Sequence, residues 1–171
     1  MSMSSICGLM WDSTTPEVIP SYALLRALYV TGRGAVRPAF GRGRVYIDVL
    51  GNAPQLAFWA DVETGDITPD HFAGWLDRRH AAGAGWGGGY CNRATLPAMV
   101  SAAGRRPWSL WLATLDGHAD PAVIAELASL PPNVTLVAVQ AFPAAMTGGN
   151  ADLSVVVSRA WWAGRALSAP A

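Results

Sequence analysis

The sequence predicts an α/β protein built as a compact, incomplete (β/α)8 barrel of the TIM type. Eight short apolar runs recur along the chain, separated by turns or helical stretches. Several runs are apolar throughout, as suits strands buried on both faces of a mostly parallel sheet. The length of 171 residues fits one domain but falls short of the roughly 250 residues a full barrel uses. Some connecting helices must therefore be very short or absent, and the Gly-Arg-rich stretch from Gly32 to Arg44 is one such place. We read 1–171 as one domain, with its core at about 5–167 and a loose tail from Ser168 to Ala171.

Ile6 to Trp11 is the first strand. Tyr22 to Leu28 reads as helical and leads into a second strand, Leu28 to Thr31. Arg44 to Leu50 and Gln55 to Val62 are the third and fourth. The clearest helix follows: Thr68 can cap it, Pro69 takes its first position and Asp70 lies in its first turn. Phe72, Trp75, Leu76 and Arg79 share one face, and Gly83 ends the run. Trp86 to Cys91 is the fifth strand, Ala94 to Ala103 a short helix and Ser109 to Thr114 the sixth strand. Pro121 to Leu130 is a helix stopped by Pro131 and Pro132, and Val134 to Phe142 is the seventh strand. Leu153 to Val157 is the eighth, and Ser158 to Leu167 closes the chain as a helix.

Composition excludes several classes. The chain carries 12 basic and 12 acidic residues, so no bulk field draws it to nucleic acid or an acidic membrane. No run approaches the roughly 20 apolar residues of a membrane span. The N-terminus lacks the pattern of a signal peptide, which leads us to expect synthesis in the cytoplasm. Cys7 and Cys91 sit in apolar runs, where a free cysteine behaves as a small buried hydrophobe. We expect no cofactor and no metal, since His71, His80 and His118 lack ligand spacing.

The sharpest chemical feature is Phe58-Trp59-Ala60-Asp61-Val62-Glu63. An apolar strand ends in carboxylates two residues apart, which places both on one face. The carboxyl end of a barrel strand is where sites are built. Two neighbouring acids, one raised by burial and the other ionised, are what glycosidic cleavage requires. Asp66 reads as part of the turn before the helix. Asp12 ends the first strand and would join the same rim, or else cap a helix at Pro16 or form a turn with Ser13. Asp48, Trp111, Asp116, Gln140 and Asp152 lie within or at the ends of other strands. Eight tryptophans are many for this length; indole faces stack on sugar rings, and we place Trp11, Trp59 or Trp111 near the site. Trp161 and Trp162 read as packing, or as an apolar patch for assembly.

Two motifs are decoys. Gly83-Ala84-Gly85-Trp86-Gly87-Gly88 fits G-x-G-x-x-G but follows a helix and enters a strand, the reverse of a dinucleotide site. Arg33, Arg37, Arg42 and Arg44 form a short basic stretch that reads as a solvated loop.

Asp61-Val62-Glu63 resembles the D-x-E signature of glycoside hydrolase family 25 lysozymes. The run from Asp61 to Pro69, then Trp75, Arg78-Arg79 and Tyr90-Cys91-Asn92, is similar to small glycoside-hydrolase-like domains of actinobacteria and their phages. So are Asp12-Ser13-Thr14-Thr15-Pro16, Trp111-Leu112-Ala113, Gln140 and Asp152-Leu153-Ser154, although Ala141 stands where an aromatic is usual. The resemblance implies a barrel with Asp12, Asp61 and Glu63 at one mouth. It gives Glu63 the acid role, Asp61 the stabilising role and Asp12 a supporting one. We expect Trp11, Trp59, Tyr90, Trp111, Gln140 and Asp152 to bind substrate.

The expected function is therefore a phage-derived, lysozyme-like glycoside hydrolase whose partner is cell-wall polysaccharide, virion-associated or released at lysis. The alternative is a non-catalytic virion or tail protein that uses the same fold for glycan binding or assembly with phage structural proteins. A metal-dependent phosphodiester-cleaving barrel is a third reading, its carboxylates holding Mg²⁺ or Ca²⁺.

Overall fold

Short runs rich in β-branched and aromatic residues form eight strands that close on themselves in chain order. A computed structural model describes residues 6–38, 43–115, 127–149 and 151–164. The strands are β1 (Gly8–Asp12), β2 (Leu25–Tyr29), β3 (Arg44–Asp48), β4 (Trp59–Asp61), β5 (Gly88–Asn92), β6 (Trp108–Ala113), β7 (Val134–Phe142) and β8 (Asp152–Val156). Among the described residues the α-helices are α1 (Pro69–Ala81), α2 (Leu96–Ala103) and α3 (Arg159–Ala163), with 3-10 turns at Pro16–Val18 and Leu127–Ser129.

Neighbouring strands from β1 to β7 run parallel. β8 is antiparallel to both β7 and β1. The protein is thus α/β with a closed, mixed barrel, and not the all-parallel (β/α)8 arrangement. The reason is the connection 143–151, which is shorter than the dozen or more residues a parallel crossover needs.

Local expectations shift in three places. Tyr22 to Leu28 is not helical: the Ala23 N–H donates to the Pro20 carbonyl in a turn, and β2 begins at Leu25. β4 holds only Trp59–Asp61, because Leu56 and Ala57 turn back onto the Ala53 carbonyl. Thr68 sits at the start of α1, but its side chain makes no cap; its carbonyl receives the His71 and Phe72 N–H groups instead. The expected helix over 121–130 and the last part of the closing helix lie outside the described residues, apart from the 3-10 turn and α3. So do Asp116, His118, Arg42 and the tail.

Side-chain alternation separates two cores. Inside the barrel pack Met10, Leu25, Ile47, Trp59, Trp111 and Val156, among others. Between the barrel and its helices pack Ala60, Val62, Phe72, Trp75, Leu76 and Met99, among others. The glycines of β5 make this possible. A side chain on Gly88 would overlap the Trp59 ring inside, and one on Gly89 would overlap Met99 outside. The G-x-G-x-x-G decoy therefore has a packing role at its end. Trp162 closes the amino end of the barrel, its ring lying where a side chain on Gly8 would stand. Trp161 packs on Phe58 and Trp59.

Asp48 faces outward, contrary to the interior position its strand allowed. Its carboxylate accepts from Thr31 Oγ1 at 2.7 Å, Gly51 N at 2.9 Å, Ala53 N at 2.8 Å and Trp75 Nε1 at 2.9 Å. These bonds tie α1 and the 49–53 loop to β3. Arg79 is also buried, and its guanidinium donates to the carbonyls of Pro54, Ala57 and Ala84.

Candidate active site

The carboxyl ends of the parallel strands and the start of β8 share one rim. Asp12 ends β1, Tyr29 ends β2 and Asp61 ends β4. Because β8 is reversed, its first residue, Asp152, arrives at the same rim and pairs directly with Asp12. Side chains directly opposite across two strands share a face.

Gln140 reaches this site through an irregularity. The pairing of β6 with β7 shifts between Leu110 and Trp111, so Val137 has no partner of its own. Leu136 packs outside the barrel, whereas both Val137 and Ala138 pack inside. The extra residue reverses the alternation and turns Gln140 inward. There Gln140 Nε2 donates to the Asp12 carboxylate at 3.2 and 3.3 Å, and the Tyr90 hydroxyl donates to Gln140 Oε1. Asp152 Oδ1 accepts from the Ala144 N–H at 2.6 Å. A second shift, between Gln140 and Phe142, leaves Ala141 unpaired and fully buried.

Glu63 lies just past the end of β4, in a turn closed by the Asp66 N–H on the Glu63 carbonyl and the Ile67 N–H on the Asp61 carbonyl. Strand alternation therefore does not place Glu63. The turn does, and Glu63 is the strongest charge acting on Asp61. Asp12 and Asp61 are only 2% and 5% exposed, while Glu63 is half-buried. Asp61 Oδ1 has no hydrogen-bond partner among the described residues.

Burial and mutual repulsion hold the protons on. Burial, then Asp152, lift the Asp12 carboxyl to about 8, against the opposing Gln140 hydrogen bond. Burial, then Glu63, Asp66 and Asp12, lift Asp61 to about 8. Glu63 is raised by burial and then Asp66, and Asp152 by burial. Asp61 is the deeper of the two acids and Glu63 the more open. The phenols of Tyr29 and Tyr90 are both pushed up, first by burial and then by these same carboxylates.

The structure thus brings together Asp12, Asp61, Glu63, Tyr90, Gln140 and Asp152. It places Trp11 elsewhere, and Trp59 and Trp111 underneath. Trp11 neighbours Asp12 and so points to the other side of the strand, where it meets Tyr22 edge-on at 6.4 Å on the outer surface. Trp59 and Trp111 lie beneath the acids, 5.6 Å apart and fully buried, and Trp111 Nε1 donates to Ser154 Oγ at 2.9 Å. They are the floor of the site, with no face open to a sugar. Tyr29 was not singled out in the sequence, though its position at the end of an apolar strand was a signal. Trp162 is 6% exposed and Trp161 half-buried, so the expected assembly patch there is a closed barrel end.

Among the described residues, no group of three or more His, Cys, Asp or Glu side chains is arranged to hold a metal ion. None of the described helices is long and apolar enough to cross a membrane. Compared with known protein families, curated proteins and solved structures, the chain matches none.

Proposed function

We propose that this chain is a lysozyme-type glycoside hydrolase domain, phage-derived, acting on the glycan strands of cell-wall peptidoglycan through a shortened relative of the (β/α)8 barrel. One observation carries the reading: among the described residues, the charged groups that act on Asp61 are all carboxylates, Glu63, Asp66 and Asp12. Such a mouth suits a transition state that develops positive charge on a sugar ring. Glu63, half-buried where Asp12 and Asp61 are closed off, is the one a glycosidic oxygen can reach. A sugar seated over it would exclude water, raise it further and draw the shared proton from Asp61 toward it. Asp61 would then stabilise the developing cation, and Asp12, held by Gln140, would support it.

The test is release of reducing ends from purified cell wall between about pH 4 and 8, which spans the ordinary and raised carboxyl range. Wild type should clear the wall, and Glu63→Gln should lower the rate at least 100-fold. Equal inactivity of both proteins removes the enzymatic reading.

A second reading is favoured by the near-complete burial of Asp12 and Asp61. In it the domain is a virion or tail component that binds wall glycan, or assembles with other phage proteins, without cleaving. It predicts wall binding by wild type with no reducing ends released.

A further inference from the structure

Away from the mouth, carboxylates have their partners. Asp48 accepts from donors that include the Gly51 N–H at 2.9 Å and Trp75 Nε1 at 2.9 Å, and Asp77 pairs with Arg106 at 2.7 Å. Asp61 differs. It is 5% exposed, and among the described residues its Oδ1 accepts no hydrogen bond. A buried oxygen in that state has lost its hydration with nothing in return, so a donor brought to it is strongly favoured.

The surroundings define that donor. Glu63, Asp66 and Asp12 act on Asp61, and Asp152 acts on Asp12. The phenols of Tyr29 and Tyr90 face the same carboxylates and are pushed up by them, so they stay neutral and add no counter-charge. None of the charges acting on Asp12, Asp61, Glu63 or Asp152 is basic. The field therefore favours a cation that also donates hydrogen bonds. A metal ion does not suit, since among the described residues no three acids are arranged to hold one. An ammonium group does: its three N–H donors rotate freely and can be shared among separate carboxylates without a coordination shell. It reaches Asp61 past Glu63, which is half-buried in the turn after β4.

We propose that the mouth binds a primary ammonium group, seated against the buried Asp61 Oδ1 and shared with Glu63. The proposal rests on the carbohydrate reading for the scaffold that carries the amine: the ligand is a glycan whose amino sugar bears a free amine in place of an acetamide. As the cation seats, the O–H bond of the Asp61 carboxyl breaks, its proton passes to buffer, and an N–H donor takes its place on the carboxylate. Binding is thus coupled to proton release.

The test is calorimetric titration of the full chain with the β-1,4-linked trimers of glucosamine and of N-acetylglucosamine, alongside reducing-end release from cell wall. The titrations are run at about pH 6.5, where a primary amine is protonated, in two buffers of different ionisation heat. Wild type should bind the free-amine trimer about tenfold more tightly than the acetylated one, with a heat that depends on the buffer. Asp61→Asn should remove both the preference and the proton release. Glu63→Gln, at a half-buried position, should reduce the preference without touching the buried acid. Equal binding of the two trimers by wild type, or a preference that survives in both variants, overturns the ammonium site even if wall cleavage persists. An amine preference lost in Asp61→Asn, with no reducing ends released by wild type, upholds the site and removes only the hydrolase.

Discussion

Asp12 on β1 and Asp152 on β8 stand directly opposite one another across an antiparallel pair. Two like charges in that position repel, and the fold tolerates them because Asp12 is buried with its proton held to about 8. The hydrogen bonds from Gln140 to Asp12 and from Ala144 to Asp152 keep the two apart in role.

Stability should fall as pH rises. Asp12 and Asp61 normally ionise near 3.8 and are held to about 8 in the fold. The stabilisation each contributes by binding its proton more tightly when folded is complete below 3.8, shrinks as the unfolded chain ionises, and is lost above about 8. Each carboxyl contributes a slope of about 1.4 kcal/mol per pH unit within that window, or roughly 3 °C in melting temperature. Melting curves from pH 5 to 8 should show the decline, and Asp12→Asn should flatten it. A pH-independent melting temperature would contradict the buried, protonated pair.

If the domain cleaves glycan, its kcat/KM should be bell-shaped in pH. Activity needs one proton shared between Asp61 and Glu63. Both limbs belong to the pair and lie above the ordinary carboxyl range, because burial and like charge raise both acids. Asp61→Asn leaves Glu63 as the sole acid of the pair, so it should remove the acid limb, keep an alkaline limb and lower the rate across the range. A pH–rate profile on soluble glycan checks both limbs.

Gly88→Ala should destabilise the barrel by about 1–3 kcal/mol, because the added methyl meets the Trp59 ring. Trp59→Leu opens space at that point, so the cost of Gly88→Ala should shrink in the double variant. Urea unfolding of the four proteins in the cycle measures the coupling; simple additivity would deny the contact.

Arg79→Lys should cost about 2–3 kcal/mol. The planar guanidinium serves the Pro54, Ala57 and Ala84 carbonyls at once, and an ammonium on a shorter reach cannot match that fork. Thermal unfolding reads the loss. No effect would mean that these carbonyls find other donors.

Much of the rim was legible in the chain itself. Asp61 stands out because an apolar run ends in a charge, and Asp12 for the same reason. The helical face of Phe72, Trp75, Leu76 and Arg79 is buried as its spacing indicated. Trp11 misled because composition suggested an aromatic at the site, while period-two geometry sends it to the opposite side from Asp12. The strand position of Asp48 allowed either face, and only the packing of α1 supplied Trp75 as its partner.

Local pattern alone determined that strands would alternate with connecting segments, that the acids at 61 and 63 would lie at a strand end, and that Pro69 would open a helix. These follow from burial and backbone preference within a few residues. Tertiary structure decided what depends on contacts far apart in the chain: the reversal of β8 that sets Asp152 against Asp12, the extra residue at Val137 that turns Gln140 inward, and the burial that leaves the proton on Asp61. Alternation can be read along one strand, but the register of its partner and the water excluded by the closed barrel exist only once all eight strands meet.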